Sequence, residues 1–280
     1  MTRNPAGPSV FERYPQFLTL KGLVPDEVVE REIGSKAAEF ERTLARARQV
    51  IPHVRLCDVF PPEIERGAIR LENFLGHWGN VSVETVCKIG LIIRWLRPRR
   101  ILEIGTYNGM TTLQMALNAP PECTVYTLDL PEGQSPSVPP SELDRYVAQS
   151  FRPRFGTSTG SYFKGRTDVR IVQLLGDSTN FDYAAVIDGP VDLVFIDGAH
   201  DYRTKKIDSE NALRLLSPAG VILWDNFADV CCPEVTRYLL DLSAGLSVSH
   251  LKGTLLAVHR RGSPVRGAPA PDGPPGKGPS

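Results

Sequence analysis

Between Leu193 and Tyr202 the chain reads LVFIDGAHDY, an apolar run that ends in Asp197, His200 and Asp201. An imidazole between two carboxylates fits three chemistries: a solvated turn, a metal site, or a general base beside its anchor. An unperturbed imidazole titrates near ~6.5, so it can accept a proton at neutral pH without burial. Four other apolar runs also end at or near an acid: Glu103 in LEIG, Asp129 in YTLDL, Asp177 in LLGDS and Asp225 in LWDN, where Asn226 follows.

The elements that must position these residues follow from hydrophobic patterning. Continuous apolar, β-rich runs occupy Arg100–Ile104, Val125–Asp129, Val169–Leu175, Val191–Ile196 and Val221–Trp224. Helical stretches separate most of them, among them Thr111–Asn118 and Tyr202–Leu216, the latter halted by Pro218 and Gly220. Strands of this kind alternating with helices imply a parallel sheet covered on both faces. Ligands of such sheets bind beyond the carboxyl edge, where these acids converge. Acids gathered there repel one another unless a cation or a hydroxyl-rich ligand sits among them.

EIGTYNG follows the first of these strands and opens the next helix. A dinucleotide loop needs G-x-G-x-x-G so that backbone can approach a pyrophosphate. Only Gly105 and Gly109 are present here, with Thr106, Tyr107 and Asn108 between them, and Glu103 places an acid nearby. The loop therefore suits a ligand that carries positive charge and no phosphate, and S-adenosylmethionine has these properties. Asp129 stands where a carboxylate would accept both ribose hydroxyls, and Asp177 with Ser178 would bracket the adenine edge.

The ordered set LEIGTYNGMTT, VYTLDL, LLGDS, FIDGAH and GVILWDN resembles class I S-adenosylmethionine-dependent methyltransferases. Within them it is most similar to the metal-dependent O-methyltransferases of the catechol and caffeoyl-CoA type, over roughly residues 79 to 260. The resemblance implies a Rossmann-like, doubly wound, mostly parallel seven-stranded sheet with helices on both faces. It implies a cofactor set of Glu103, Gly105, Thr106, Tyr107, Gly109, Asp129, Asp177, Ser178 and Asp197. It also implies a divalent metal on Asp197, Asp225 and Asn226, whose oxygen donors suit Mg²⁺ or Mn²⁺. The chain departs from the catechol pattern at His200, where that type places a lysine base. The D-G-x-H form is similar to macrolide-sugar O-methyltransferases, so the resemblance implies His200 as base beside Asp197 and a small-molecule hydroxyl as acceptor. The same residues would also serve as a strand-to-loop turn and a capped helix start.

The remaining features bound this reading. The 280 residues carry 32 basic and 32 acidic side chains, so no global field favours nucleic acid or an anionic membrane. The five cysteines lack zinc spacing, and neither a secretory leader nor a membrane-length apolar run is visible, so a reduced, cytoplasmic protein is expected. Residues 1–75 are expected to form an irregular and helical segment, 76–261 the cofactor-binding domain, and 262–280 a disordered Pro/Gly-rich tail. Within the first segment one helix is expected from Pro25, its stripe of Val29, Ile33, Ala37, Phe40, Leu44 and Ala47 packing on the main domain or, in a homodimer, on a second copy. Residues 131–168 are too long for an ordinary connection and read as a lid with a short helix near Ser141–Ser150. Three competing readings remain: a metal-independent N- or C-methyltransferase, a nicotinamide-dependent oxidoreductase, and a non-catalytic binding protein.

Overall fold

The apolar runs pair into one sheet in a computed structural model that describes residues 9–14, 24–34, 36–74, 79–140, 145 and 158–262. Its central strands are β2 (Arg100–Ile104), β3 (Thr124–Asp129), β4 (Ile171–Leu175), β5 (Val191–Ile196) and β6 (Leu216–Trp224). All five run parallel. The closing pair β7 (Ser249–Leu251) and β8 (Ala257–Arg260) is antiparallel. The sheet order is β1-β7-β8-β6-β5-β2-β3-β4. Eight strands replace the expected seven, because the two-residue β1 (His53–Val54) adds to β7. A strand that short leaves no periodicity to read; the stacked rings of His53 and His250, 4.6 Å apart, help to hold it.

Alternate side chains of each strand feed two cores. Leu102, Ile104, Val194, Ile196, Ile222 and Trp224 lie on one face with Ala212 of α6 (Tyr202–Leu215) and Val235 and Leu239 of α7 (Pro233–Leu242). Ile101, Val125, Leu193, Phe195, Val221 and Leu223 lie on the other, against α4 (Val83–Leu96) and Met110 and Met115 of α5 (Met110–Asn118). Ser82 caps α4 by accepting the Thr85 N–H at 3.2 Å. Chain direction reverses about β2, which is followed by β3 and β4 on one side and flanked by β5 and β6 on the other. The crevice between the carboxyl ends of β2 and β5 is therefore the switch point where such sheets take ligands.

Two expected elements differ. The amino-terminal helix is broken into α2 (Asp26–Val29), a π-turn over Glu30–Gly34, and α3 (Ala37–Val50), and Pro25 caps it rather than entering its first turn. The break has a local cause. The short α1 (Val10–Arg13) packs so closely at Gly34 that a Cβ there would lie 2.8 Å from Val10, and the Val10 N–H is held by Glu30 at 2.8 Å. The other difference is at Ser217–Gly220, expected as a loop after the helix; β6 starts there at once, with a register shift against β5 between Val191 and Leu193.

The apolar stripe of α2 and α3 is buried within this chain. Val29, Ile33, Ala37, Phe40 and Ala47 are all buried, Phe40 in a cluster with Val230, and α3 packs against α7. Among the described residues no helix is long and apolar enough to cross a membrane. The expected helix near Ser141–Ser150 lies outside the described residues, as does the tail beyond Gly262. Phe40→Ala should cost about 3–5 kcal/mol of stability, the range for truncating a buried aromatic. Because the stripe is satisfied internally, the drop in thermal midpoint should be the same at every protein concentration; a concentration-dependent drop would assign Phe40 to a contact between copies.

Candidate active site

The turn after β2 is held open for close approach. Gly105 has φ +103°, and a Cβ there would meet the Asp197 carbonyl oxygen at 2.3 Å. Gly109, φ +82°, starts α5, and a Cβ there would meet Phe163 at 2.5 Å. Between them Tyr107 takes φ +49°, and its N–H donates to Asp129 Oδ2 at 2.7 Å. Asp129 Oδ1 accepts the Leu130 N–H at 2.8 Å, so this carboxylate is oriented before any ligand arrives. The end of the 131–168 insert closes over the same turn: Gly160 N–H donates to the Tyr107 carbonyl at 3.1 Å and Tyr162 N–H to the Asn108 carbonyl at 3.0 Å. Residues 158–163 thus belong to the loop's surroundings, which composition alone did not reveal.

Glu103 lies beneath that turn, completely buried. Oε2 accepts hydrogen bonds from Thr112 and, at 2.5 Å, from Thr127; the Thr106 hydroxyl donates to Thr127 at 2.7 Å, and Gln173 donates to Thr106 at 3.2 Å. Oε1 is buried with no hydrogen-bond partner. Burial pushes this carboxyl up to about 8, the two threonines only partly opposing it. Without a cation beside it Glu103 is therefore mostly protonated at neutral pH, which corrects its expected role as a standing negative charge. A ligand cation reaching Oε1 would favour its ionised form.

The other acids divide by environment. Asp197 and Asp225 are neighbours by register: β5 and β6 pair Ile196 with Trp224, the Asp197 N–H donates to the Ile104 carbonyl at 2.8 Å, and the Asp225 N–H donates to the Ile196 carbonyl at 3.2 Å. Burial, then the charge of Asp225, raises Asp197 well above the usual carboxylate range. Burial, then Asp229, pushes Asp225 up to about 6. His200 and Lys205 oppose both shifts, so each cation stands within electrostatic reach of the pair. Asn226 follows with φ +65°; its amide nitrogen faces Asp229 at 3.4 Å, while its buried Oδ1 has no hydrogen-bond partner. Two neighbouring carboxylates and an unsatisfied amide oxygen form a donor set whose chemistry fits a hard divalent cation. Among the described residues no group of three His, Cys, Asp or Glu side chains could hold a metal ion, so any such site must use the amide.

Asp201 is the helix cap, accepting the Thr204 N–H at 2.8 Å, so the capping reading of the DGAHD turn holds for it. Asp177 is drawn into its own loop. Oδ1 accepts both the Thr179 N–H and hydroxyl, at 2.9 and 2.6 Å, and Oδ2 accepts the Ser137 N–H at 2.6 Å. Burial would raise it, but these bonds outweigh burial and hold it down at about 2. The Ser178 carbonyl accepts from Asn211 at 3.3 Å and from Tyr183 at 3.4 Å. An adenine amine at this edge would share Asp177 with Ser137 and Thr179. Sequence reasoning passed over Lys205 and Asp208, both fully buried behind the strand tips. The available signal was a polar stripe on the inner face of α6, at Thr204, Lys205, Asp208, Ser209 and Asn211.

Residues 102–227 match the family model described as a methyltransferase domain. Over that span the chain is similar to a methyltransferase domain. The matched span begins at Leu102 and ends at Phe227, so it contains the glycine turn, Asp129, Asp177, Asp197, His200, Asp225 and Asn226. Among solved structures, the chain is similar to an O-methyltransferase from Bacillus cereus in complex with SAH, at 20% identity, covering 78% of this chain and 90% of that one, TM-score 0.44. It is similar to cofactor-bound Rv0187 from MTB, at 21% identity over 74% of this chain and 88% of that one, TM-score 0.46. It is also similar to the O-methyltransferase TomG from Streptomyces achromogenes, at 20% identity over 79% and 90%, TM-score 0.43. No substrate follows from likeness at that level.

Glu103 generates a test by pH. Its native-state pKa is raised, so the folded protein binds the proton more tightly than the unfolded chain, and stability falls as pH rises from the ordinary carboxylate range, 4.5, to about 8. Glu103→Gln, which keeps shape and removes the titration, should lessen that decline for the ligand-free protein. Urea unfolding of both proteins at pH 5 and pH 8.5 reads the difference, and equal pH dependence would contradict burial of an ionisable group there.

Proposed function

We propose that the chain is an S-adenosylmethionine-dependent O-methyltransferase acting on a small-molecule hydroxyl, with a divalent ion, Mg²⁺ or Mn²⁺, held by Asp197, Asp225 and Asn226. The observation that carries the reading is the neighbouring pair Asp197–Asp225, followed by the unsatisfied Asn226 Oδ1, at the switch point next to the glycine turn. The methyltransferase-domain match supports transfer chemistry at that edge. The B. cereus O-methyltransferase complexed with SAH and TomG complexed with SAM agree with the cofactor assigned.

When bound, S-adenosylmethionine supplies a methyl carbon on a sulfonium leaving group, and a divalent ion makes a hydroxyl oxygen beside it more acidic. The chain's residues do the rest. Asp129 orients the ribose diol, Gly105 and Gly109 let the cofactor approach the backbone, and Thr106, Tyr107, Asp177 and Ser178 border it. Glu103 stands under the turn as the acid that a ligand ammonium can ionise. His200 takes the acceptor's proton, and Asp197 and Asp225 stabilise the imidazolium that results. Holding acceptor oxygen and methyl carbon in line supplies much of the acceleration; well-aligned reactants gain up to ~7–11 kcal/mol. No covalent enzyme intermediate is formed.

Methyl transfer from labelled S-adenosylmethionine to a panel of phenols and sugars tests the reading. Asp225→Ala should abolish Mg²⁺-stimulated turnover while calorimetric binding of S-adenosylmethionine survives, and Asp129→Ala should weaken that binding by about tenfold or more, a loss of ~1.4 kcal/mol. Full turnover in chelator would instead favour a metal-independent N- or C-methyltransferase. His200→Ala should cut turnover about 10²–10⁴-fold, the usual contribution of a positioned base, with cation binding retained.

A further inference from the structure

The first turns of α6 bury charge where a helix ordinarily buries apolar side chains. Lys205, Asp208 and Ser209 are 0% exposed. Lys205 Nζ and both carboxylate oxygens of Asp208 have no hydrogen-bond partner. Burial pushes Asp208 up to about 6; the Ser178 hydroxyl, near but outside hydrogen-bond geometry, and Lys205 oppose the rise. This turn is fixed directly behind the strand tips. Ser209 donates to the Lys205 carbonyl at 2.7 Å and accepts the indole N–H of Trp224, the residue before Asp225, at 2.8 Å. Asp208 Oδ2 lies 3.8 Å from where a Cβ would stand on Gly198, the residue after Asp197. The Lys205 charge acts on Asp197, Asp225 and Asp208 alike.

A buried ammonium without a hydrogen bond is a poor device for stability, since desolvation exceeds what a distant carboxylate returns. Its effect falls instead on whatever enters the Asp197–Asp225 edge. We infer that Lys205 is a resident cation that weakens the hold of Asp197, Asp225 and Asn226 on a divalent ion, and that Asp208 restrains that effect by drawing part of its field. Lys205 is a positioning and tuning residue and touches no reactant. The inference deepens the proposed function and rests on its metal reading. It makes the ion exchangeable rather than permanently resident.

The test titrates Mn²⁺ alone into the full-length protein by calorimetry. Lys205→Met removes a positive charge facing a dication and should tighten Mn²⁺ binding by about tenfold. Lys205→Arg keeps the charge and should stay near wild type. Asp208→Asn removes a negative charge and should loosen binding severalfold. A merely structural lysine would lower the thermal midpoint of Lys205→Met without tightening the ion, and that result overturns the inference. Should Lys205→Met not fold, the isosteric Asp208→Asn decides, and an unchanged Mn²⁺ affinity there overturns it. If wild type itself gives no saturable Mn²⁺ binding, the metal reading fails and this inference with it. Saturable wild-type binding with both variants unchanged sinks the inference alone.

Discussion

Two carboxylates past the ends of neighbouring strands, the half-buried Asp197 and the buried Asp225, both resist ionisation, and the charge of Asp225 raises Asp197. Their neighbourhood follows from ordinary parallel pairing: with Ile196 opposite Trp224, the next residue on each strand must be an adjacent acid. Burial makes the repulsion worse, since low dielectric strengthens like-charge interaction as well as attraction. Such an arrangement is stable only while protons or a cation occupy it. The fold therefore carries a standing demand for positive charge at one edge of the sheet, and its other polar features can be ordered by how they meet that demand.

Glu103 meets a similar demand differently. Burial leaves it mostly neutral, and the hydrogen bonds from Thr112 and Thr127, backed by Thr106 and Gln173, only partly oppose that. The difference lies in access. Glu103 sits inside β2, completely buried, whereas Asp197 and Asp225 stand just past the ends of β5 and β6. One acid is thus held in reserve for a charged ligand part, and two are held for an ion. The glycine turn separates them, with Asp129 fixed by the Tyr107 and Leu130 amides to receive a neutral diol.

Much of this was legible in the sequence, because apolar runs followed by acids are local signals. β2 and β5 lie where their patterns place them. What was not legible depended on contacts across the chain. β1 exists through pairing with β7 nearly 200 residues away, and the break at Gly34 through the approach of Val10. The alignment of Asp197 with Asp225 could be anticipated from strand ends, but the orphaned Asn226 Oδ1 could not, since it depends on a left-handed backbone and on Asp229. Lys205 was hidden for another reason: in YRTKKID a lysine stands beside a lysine, and only the position of the helix against β5 and β6 turns one inward while leaving Lys206 exposed.

The placement of Lys205 bears on how such an edge can cycle. A site made only of Asp197, Asp225 and Asn226 would bind a dication against nothing but its dehydration, and release would be slow. In the inference drawn above, the Lys205 side chain, fixed on α6, would offset part of the attraction without competing for the donors. As the proposed base, His200 would add a second positive centre only on taking the acceptor's proton. The two cations thus act at different stages, Lys205 throughout and His200 after proton transfer, and their separation along one helix start places both within the field of the same two carboxylates. Under the proposed function the acceptor's proton would stay at the site as the deprotonated oxygen attacks the methyl carbon and the sulfonium sulfur leaves as a neutral thioether with the S–C bonding pair.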